Sequence, residues 1–99
     1  MIRGDMHTEI TRERLERYFA IGQEALVAAQ QAPVQDEQGA RIAIDMATRY
    51  IEDAKHFFSQ EDWVLAYGAL NYAHGWLDCG ARLGLFIVKD DRLFTVDSD

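Results

Sequence analysis

The clearest pattern in the chain is the segment from Trp63 to Gly84, which is apolar around most of a helical cylinder. At helical pitch its polar side chains fall on one narrow stripe, so most of this helix has to be covered by neighbours. Glycine inside a helix costs about 1 kcal/mol relative to alanine, and several of them indicate close packing. We therefore expect tight contacts on two flanks. The small residues form two seams, one of Ala66, Ala69, Ala73, Gly80 and Gly84 and the other of Gly68, Gly75 and Cys79.

Two earlier segments repeat apolar residues at steps of three and four, as amphipathic helices do. The first covers about residues 8–32, with Thr8 as a plausible N-cap and Pro33, the only proline, at its end. The second covers about residues 37–60 and follows Asp36, which is placed to cap it. Each has one apolar and one polar face, which predicts that both lie at the surface of a bundle.

The third helix covers about residues 62–84, with Asp62 as N-cap and Gly84 as the natural residue after its last turn. The link before it is very short, so the second and third helices run antiparallel. Residues 85–99 carry two short apolar runs around a polar turn, which predicts an extended tail or a small hairpin. The fold class is all-α: an antiparallel up-and-down three-helix bundle in a single domain, residues 1–99.

Composition narrows the classes of partner and location. With 99 residues, 48% of them hydrophobic, the chain fits one compact core. Its net charge of −7 disfavours nucleic acid, because affinity for a phosphate backbone comes from Lys and Arg. No apolar run approaches the length of a membrane span, and a single cysteine, Cys79, allows no internal disulfide. We expect a cytoplasmic protein without a cofactor.

The polar stripe of the third helix is the candidate binding surface, because aromatic and hydrogen-bonding side chains alternate along it. Its simplest interpretation is a solvated face with an Asp78–Arg82 ion pair, or a network of charges between the second and third helices. The functional interpretation is a surface for a ligand or a partner. The residues involved are Trp63, Tyr67, Asn71, His74, Asp78 and Arg82, with Asp53 and Arg49 of the second helix.

Two catalytic alternatives have little support in the residues. His74 and Asp78 lie four residues apart, but no HExxH motif or cysteine cluster accompanies them, and we expect no metal site. Arg49 and His56 have the spacing of the basic residue and histidine in the helical HEPN ribonucleases. Both also fit an ordinary polar helix face, and the acidic balance of the chain argues against RNA. The sequence therefore favours a protein that is not an enzyme.

One string of residues resembles a known family. The run YAHGWLD, residues 72–78, is the most specific part of the likeness, which is strongest between Tyr50 and Phe86. The family is the mainly archaeal one known as domain of unknown function 357. The resemblance implies an archaeal, cytoplasmic, short up-and-down bundle of three helices, with no known activity, substrate or cofactor. The other matching residues are Asp53, Ala54, Phe57, Asp62, Ala66, Gly80, Arg82, Leu83 and Gly84.

The functional hypothesis is a non-enzymatic helical module that binds another protein or itself. A homodimer would cover the large aromatic content and the apolar tail, and a tail folded back over its own helices is the competing outcome. The alternative function is a small-ligand or nucleotide site that uses His74, Asp78, Asn71 and Arg49. The two hypotheses differ in whether these side chains line a concave pocket or lie on a flat or convex face.

Overall fold

The computed structural model describes residues 9–96, and three helices make up most of this part of the chain. They are α1 (Arg12–Gln31), α2 (Glu37–Ser59) and α3 (Trp63–Arg82). The short links between them make consecutive helices antiparallel. The predicted all-α, three-helix architecture is confirmed, and the helix ends agree with the sequence to within a few residues.

Each helix starts at a side-chain cap. Asp36 accepts a hydrogen bond from the backbone N–H of Gly39 at 2.9 Å, and Asp62 accepts one from Leu65 at 3.2 Å, as the sequence predicts. The start of α1 is later than predicted. Thr11 is its N-cap and accepts from the N–H of Arg14 at 3.2 Å, whereas Thr8, the expected cap, lies outside the described residues.

Helix α3 ends at Gly84 in a Schellman motif. Gly84 has a φ of 72°, a left-handed conformation that favours glycine. Its N–H donates to the carbonyl of Ala81 at 3.1 Å, and the N–H of Leu85 donates to the carbonyl of Gly80 at 3.0 Å. These two bonds use carbonyls that would otherwise be left unpaired at the helix end, and they turn the chain back toward the α1–α2 link.

The core lies between α2 and α3, with α1 packed across them. Many of its buried positions are alanine, which lets helices approach closely because little side chain separates the backbones. The largest fully buried side chains are Leu15, Ile51, Leu77 and Phe86. The buried alanines are Ala25, Ala29, Ala40, Ala43, Ala47, Ala54, Ala66, Ala69 and Ala73.

The tail completes this core instead of forming a hairpin. In the part of the chain that the structure describes, the tail makes one isolated antiparallel bridge, between Phe86 and Val34 of the α1–α2 link. Leu93 and Phe94 are buried in the same cluster as Phe86, and the rings of Phe86 and Phe94 are 6.4 Å apart. Most side chains of the two apolar runs pack on the bundle, Ile87 being the exposed exception, and the runs do not pair with each other. The described part of the tail forms no hairpin, so that prediction is wrong, and the tail is irregular, with turns and bends at residues 91–96.

One of the two predicted glycine seams is a packing contact and the other is not. A Cβ atom at Gly80 would lie 2.7 Å from Cε2 of Phe86 and 3.3 Å from Cβ of Ala43, so only glycine fits there. A Cβ at Gly68 or Gly75 would meet nothing within 4 Å. The predicted close contact on this second flank is wrong, because α1, α2 and the tail cover the other sides of α3.

Candidate functional site

The solvent-facing side of α3 is almost free of charge. Among its eight exposed positions, only Arg82 is charged and only Asn71 is otherwise polar. On α2, by contrast, Ile42 is the only apolar residue among the exposed positions. We call the following residues the outer face of α3: Leu65, Gly68, Tyr72, Gly75, Cys79 and Arg82.

Tyr72 is the most prominent side chain of the outer face. Its ring stacks on Tyr50 of α2, with centroids 4.4 Å apart and an angle of 12° between the planes, yet the residue remains 58% exposed. Beside it, Tyr72, Gly75, Trp76 and Cys79 line an open groove of about 310 Å³. The stack places the Tyr72 ring against Tyr50, so the groove has one aromatic wall beside the exposed backbone of Gly75.

The aromatic members of the predicted stripe contribute to packing. Trp63 lies 5.1 Å from the ring of Phe58 at the α2–α3 turn, and the guanidinium of Arg12 is 5.2 Å from the Trp63 ring. Tyr67 packs on Tyr18 of α1, with centroids 5.3 Å apart. Both are therefore partly buried in the contacts that hold the start of α3 to the other helices.

Asn71 and His74 border a small groove between α1 and α3. The amide of Asn71 donates to the carbonyl of Tyr67 at 3.2 Å, and Nε2 of His74 lies 3.9 Å from Oδ2 of Asp78. The groove has a volume of about 200 Å³, and no Lys or Arg lines it; its walls are Tyr18, Ile21, Gly22, Tyr67, Leu70, Asn71 and His74. The stripe is thus concave at this point, but the concavity is small.

Asp78 holds the tail. Its carboxylate accepts the backbone N–H of Thr95 at 2.8 Å and the Thr95 hydroxyl at 3.1 Å. In the described residues Asp78 makes no ion pair with Arg82, so that expected pair is wrong. The reason is that the tail lies across this part of α3 and supplies two donors. On α1, the carboxylate of Glu24 accepts a hydrogen bond from the guanidinium of Arg92 in the tail, and this bond lowers the pKa of the Glu24 carboxyl.

Removing the Asp78 carboxylate should loosen the tail without unfolding the helices. We expect Asp78→Ala to lower the free energy of unfolding by about 1–2 kcal/mol, because two hydrogen bonds to a partly exposed carboxylate are lost. The matched control is Asp53→Ala, an exposed aspartate of α2, which should stay within about 0.5 kcal/mol of the parent. Urea denaturation followed by circular dichroism measures both. Equal losses in the two variants would contradict the role given to Asp78.

The structure separates Arg49 and Asp53 from the stripe. Arg49 donates from Nε to Oδ2 of Asp45 at 2.9 Å, and this hydrogen bond raises the pKa of the Arg49 guanidinium. With Met46 and Tyr50, Arg49 and Asp53 line a groove on the surface of α2. Within residues 9–96 no ion pair joins α2 to α3, so the expected network of charges between them is wrong. Arg49 and Asp53 flank the Tyr50–Tyr72 stack instead.

The described part of the chain contains neither a cluster of metal ligands nor a helix that could span a membrane. Across residues 9–96, no three His, Cys, Asp or Glu side chains are grouped so that they could hold a metal ion. None of the three helices described is long and apolar enough to cross a membrane. The surfaces that remain as candidates for binding are the outer face of α3 and the charged surfaces of α1 and α2.

Comparison with known proteins identifies the family. The model of the family described as "Protein of unknown function (DUF357)" matches residues 17–86, more than two thirds of the chain. The chain belongs to this family. The DUF357 match starts inside α1, contains all of α2 and α3, and ends at Phe86, the tail residue that closes the core. No curated protein and no solved structure matched the chain.

The outer face is the feature that sequence reasoning assigned wrongly for this DUF357 protein. Gly68, Gly75 and Cys79 were expected to contact a neighbouring helix of the same chain. A usable signal is the spacing of the face, because its six positions follow one another at steps of three and four residues, as the seam of a coiled coil does. That spacing shows that the residues share a face, but it does not say which helix covers it.

Proposed function

We propose that this protein is a non-enzymatic interaction module that binds another protein chain through the outer face of α3. The observation that carries the proposal is the absence of charge there, since seven of the eight exposed positions of the helix are uncharged in a chain with a net charge of −7. Apolar residues scattered singly on a surface are ordinary, whereas a face whose single charge lies at the end of the helix is typical of an interaction site.

The residues of the face suit protein binding. Tyrosine is enriched at interfaces, because its ring buries apolar area and its hydroxyl remains able to form hydrogen bonds. Tyr72 is also held in place by Tyr50, so it loses little conformational freedom when a partner covers it. Gly68 and Gly75 contact no other part of the described chain, and they allow a partner backbone to approach closely.

The alternative of a small-ligand or nucleotide site has less support. Ligand pockets have volumes of about 300–1,000 Å³. The groove that contains Asn71 and His74 has about 200 Å³ and no cationic side chain to bind phosphate. Arg49 lines a separate groove of about 440 Å³ on α2, and none of Asn71, His74 and Asp78 lines it, so the four residues of this alternative do not share one pocket. The ribonuclease alternative depends on the same arginine and on His56, both on the exposed face of α2, and the net charge of −7 disfavours RNA.

The test compares two variants that add one charge each. Tyr72→Glu places a carboxylate on the outer face, and Val27→Glu places one at an exposed apolar position of α1. Each form is immobilised as the full chain. The parent and Val27→Glu should retain a second copy of the chain or another protein, whereas Tyr72→Glu should retain neither. Each retained protein is then purified and titrated against the three forms. Retention that is identical for all three, or absent from all three, contradicts the proposal.

A further inference from the structure

We infer that the occupant of the outer face is the outer face of a second copy of this chain, with the two α3 helices antiparallel about a two-fold axis. This inference rests on the proposed function and adds the identity of the partner and its geometry. The face is self-complementary in the size of its side chains, in charge and in extent.

Large and small residues alternate along the face. Tyr72 projects from the middle, while Gly68 and Gly75 on either side of it leave space for a side chain. A tyrosine of one copy would fit over a glycine of the other, and the two-fold axis makes the same contact twice. Both glycines lie inside a helix, where each lowers helix stability by about 1 kcal/mol relative to alanine. No packing within the described residues explains that loss, whereas the inferred contact does.

In one antiparallel register, each residue of the outer face lies opposite a residue of the outer face of the second copy. With Tyr72 opposite Gly75 of the second copy, Gly68 lies opposite Cys79, and Leu65 lies opposite Arg82. The centre of this register is between Ala73 and His74, close to the middle of α3 (Trp63–Arg82), so nearly the whole length of the two helices overlaps. Registers displaced by a further turn leave one end of each helix without a counterpart.

Charge supports the antiparallel direction. In this register Arg82 lies opposite Leu65, near the start of α3 in the second copy, and Glu61 of that copy precedes the helix in the α2–α3 turn. The symmetry places one such arginine and one such glutamate at each end of the interface. A parallel pair would instead bring Arg82 next to Arg82.

With the neighbouring surface of α2 included, the outer face approaches the area of a standard interface. A standard interface buries about 800 Å² on each partner, which is about an eighth of the 6568 Å² surface of this chain. Two adjacent helices about 30 Å long and about 10 Å apart present about 600 Å² in projection. Side chains that stand out from α2 and α3, among them Tyr72, Leu83 and Ile42, add to this value.

The mass of the full chain in solution is the first test. Sedimentation equilibrium at tens of micromolar should give a dimer for the parent and for Val27→Glu, and a monomer for Tyr72→Glu. Circular dichroism checks that all three are folded. A monomeric parent overturns the inference, and so does a dimer that Tyr72→Glu leaves intact. A monomeric parent leaves the proposed function standing if capture of another protein still depends on Tyr72.

Cross-linking tests the direction and the register. Cys79 is the only cysteine, and it is exposed. Gly68→Cys adds a second thiol where a side chain meets no atom of its own described chain within 4 Å. It should form disulfide-linked dimers under mild oxidation, because Cys79 of the other copy lies opposite. Gln23→Cys on α1 is the matched control and should not. The parent should not cross-link readily either, since its two Cys79 residues are about 16 Å apart along the axis. Rapid linkage of the parent, or equal linkage of both variants, overturns this geometry.

Discussion

Replacing Phe86 with alanine should lower the free energy of unfolding by about 3–5 kcal/mol, the range measured when a buried phenylalanine is truncated. Phe86 is fully buried, although it lies in the tail and outside any helix. Its ring covers Gly80 of α3 and meets Phe94, and the loss of the ring leaves a cavity at the end of the bundle. Small domains are stable by about 5–15 kcal/mol in total, so this single change removes a large part of the stability.

Ile87→Ala is the matched control for Phe86→Ala. Ile87 is the next residue of the tail and is also apolar, but it is 37% exposed, and its backbone bond to Pro33 does not depend on the side chain. Its truncation should cost well under half as much as that of Phe86. Urea denaturation followed by circular dichroism gives both values. Similar and small losses in the two variants would show that the tail is not part of the core.

Gly80→Leu should destabilise the protein by about 1–3 kcal/mol through overpacking. The first side-chain atom alone would be 2.7 Å from Cε2 of Phe86 and 3.3 Å from Cβ of Ala43, so the tail or α2 has to move. Gly75→Leu is the matched control, because that position is open to solvent. It should leave the free energy of unfolding unchanged or raise it slightly when measured at the lowest usable concentration, where association does not contribute. A neutral Gly80→Leu would contradict the close contact.

The double variant Phe86→Ala, Gly80→Leu gives a further check on the same contact. The two residues touch, so their effects should not add. Part of the leucine side chain can occupy the space that the phenyl ring leaves, and the double variant should be more stable than the sum of the single changes predicts. Strict additivity would mean that the ring of Phe86 does not lie on Gly80.

The helices were predictable because their signals are local. Apolar spacing, the caps Asp36 and Asp62, and the terminating Gly84 each act within a few residues of the chain, and the structure has all of them where the sequence places them. The start of α1 was predicted at Thr8, because threonine is a favourable N-cap, and the structure has its cap three residues later, at Thr11.

The candidate site was harder to predict because it depends on which neighbour covers which flank of α3. The sequence shows two seams of small residues but does not say that α2 and the tail share one of them while the other stays open. The same uncertainty affected Asp78. Its partner Thr95 is 17 residues away along the chain, and no helical spacing indicates a contact between a helix and an irregular tail. Arg49 and Asp53 were grouped with the stripe because counting from a turn gives the level of a residue but not its side of the helix.

The bridge between Val34 and Phe86 also has a consequence for the order of folding. These residues are about fifty positions apart, and joining them directly in an unfolded chain would carry the full entropy of closing a long loop. Once α2 and α3 have formed their antiparallel pair, the start of α2 and the end of α3 are already neighbours, and only a few flexible residues on each side remain to be fixed. The helical pair should therefore form first, and docking of the tail should follow it. Variants at Phe86 should then accelerate unfolding much more than they slow folding.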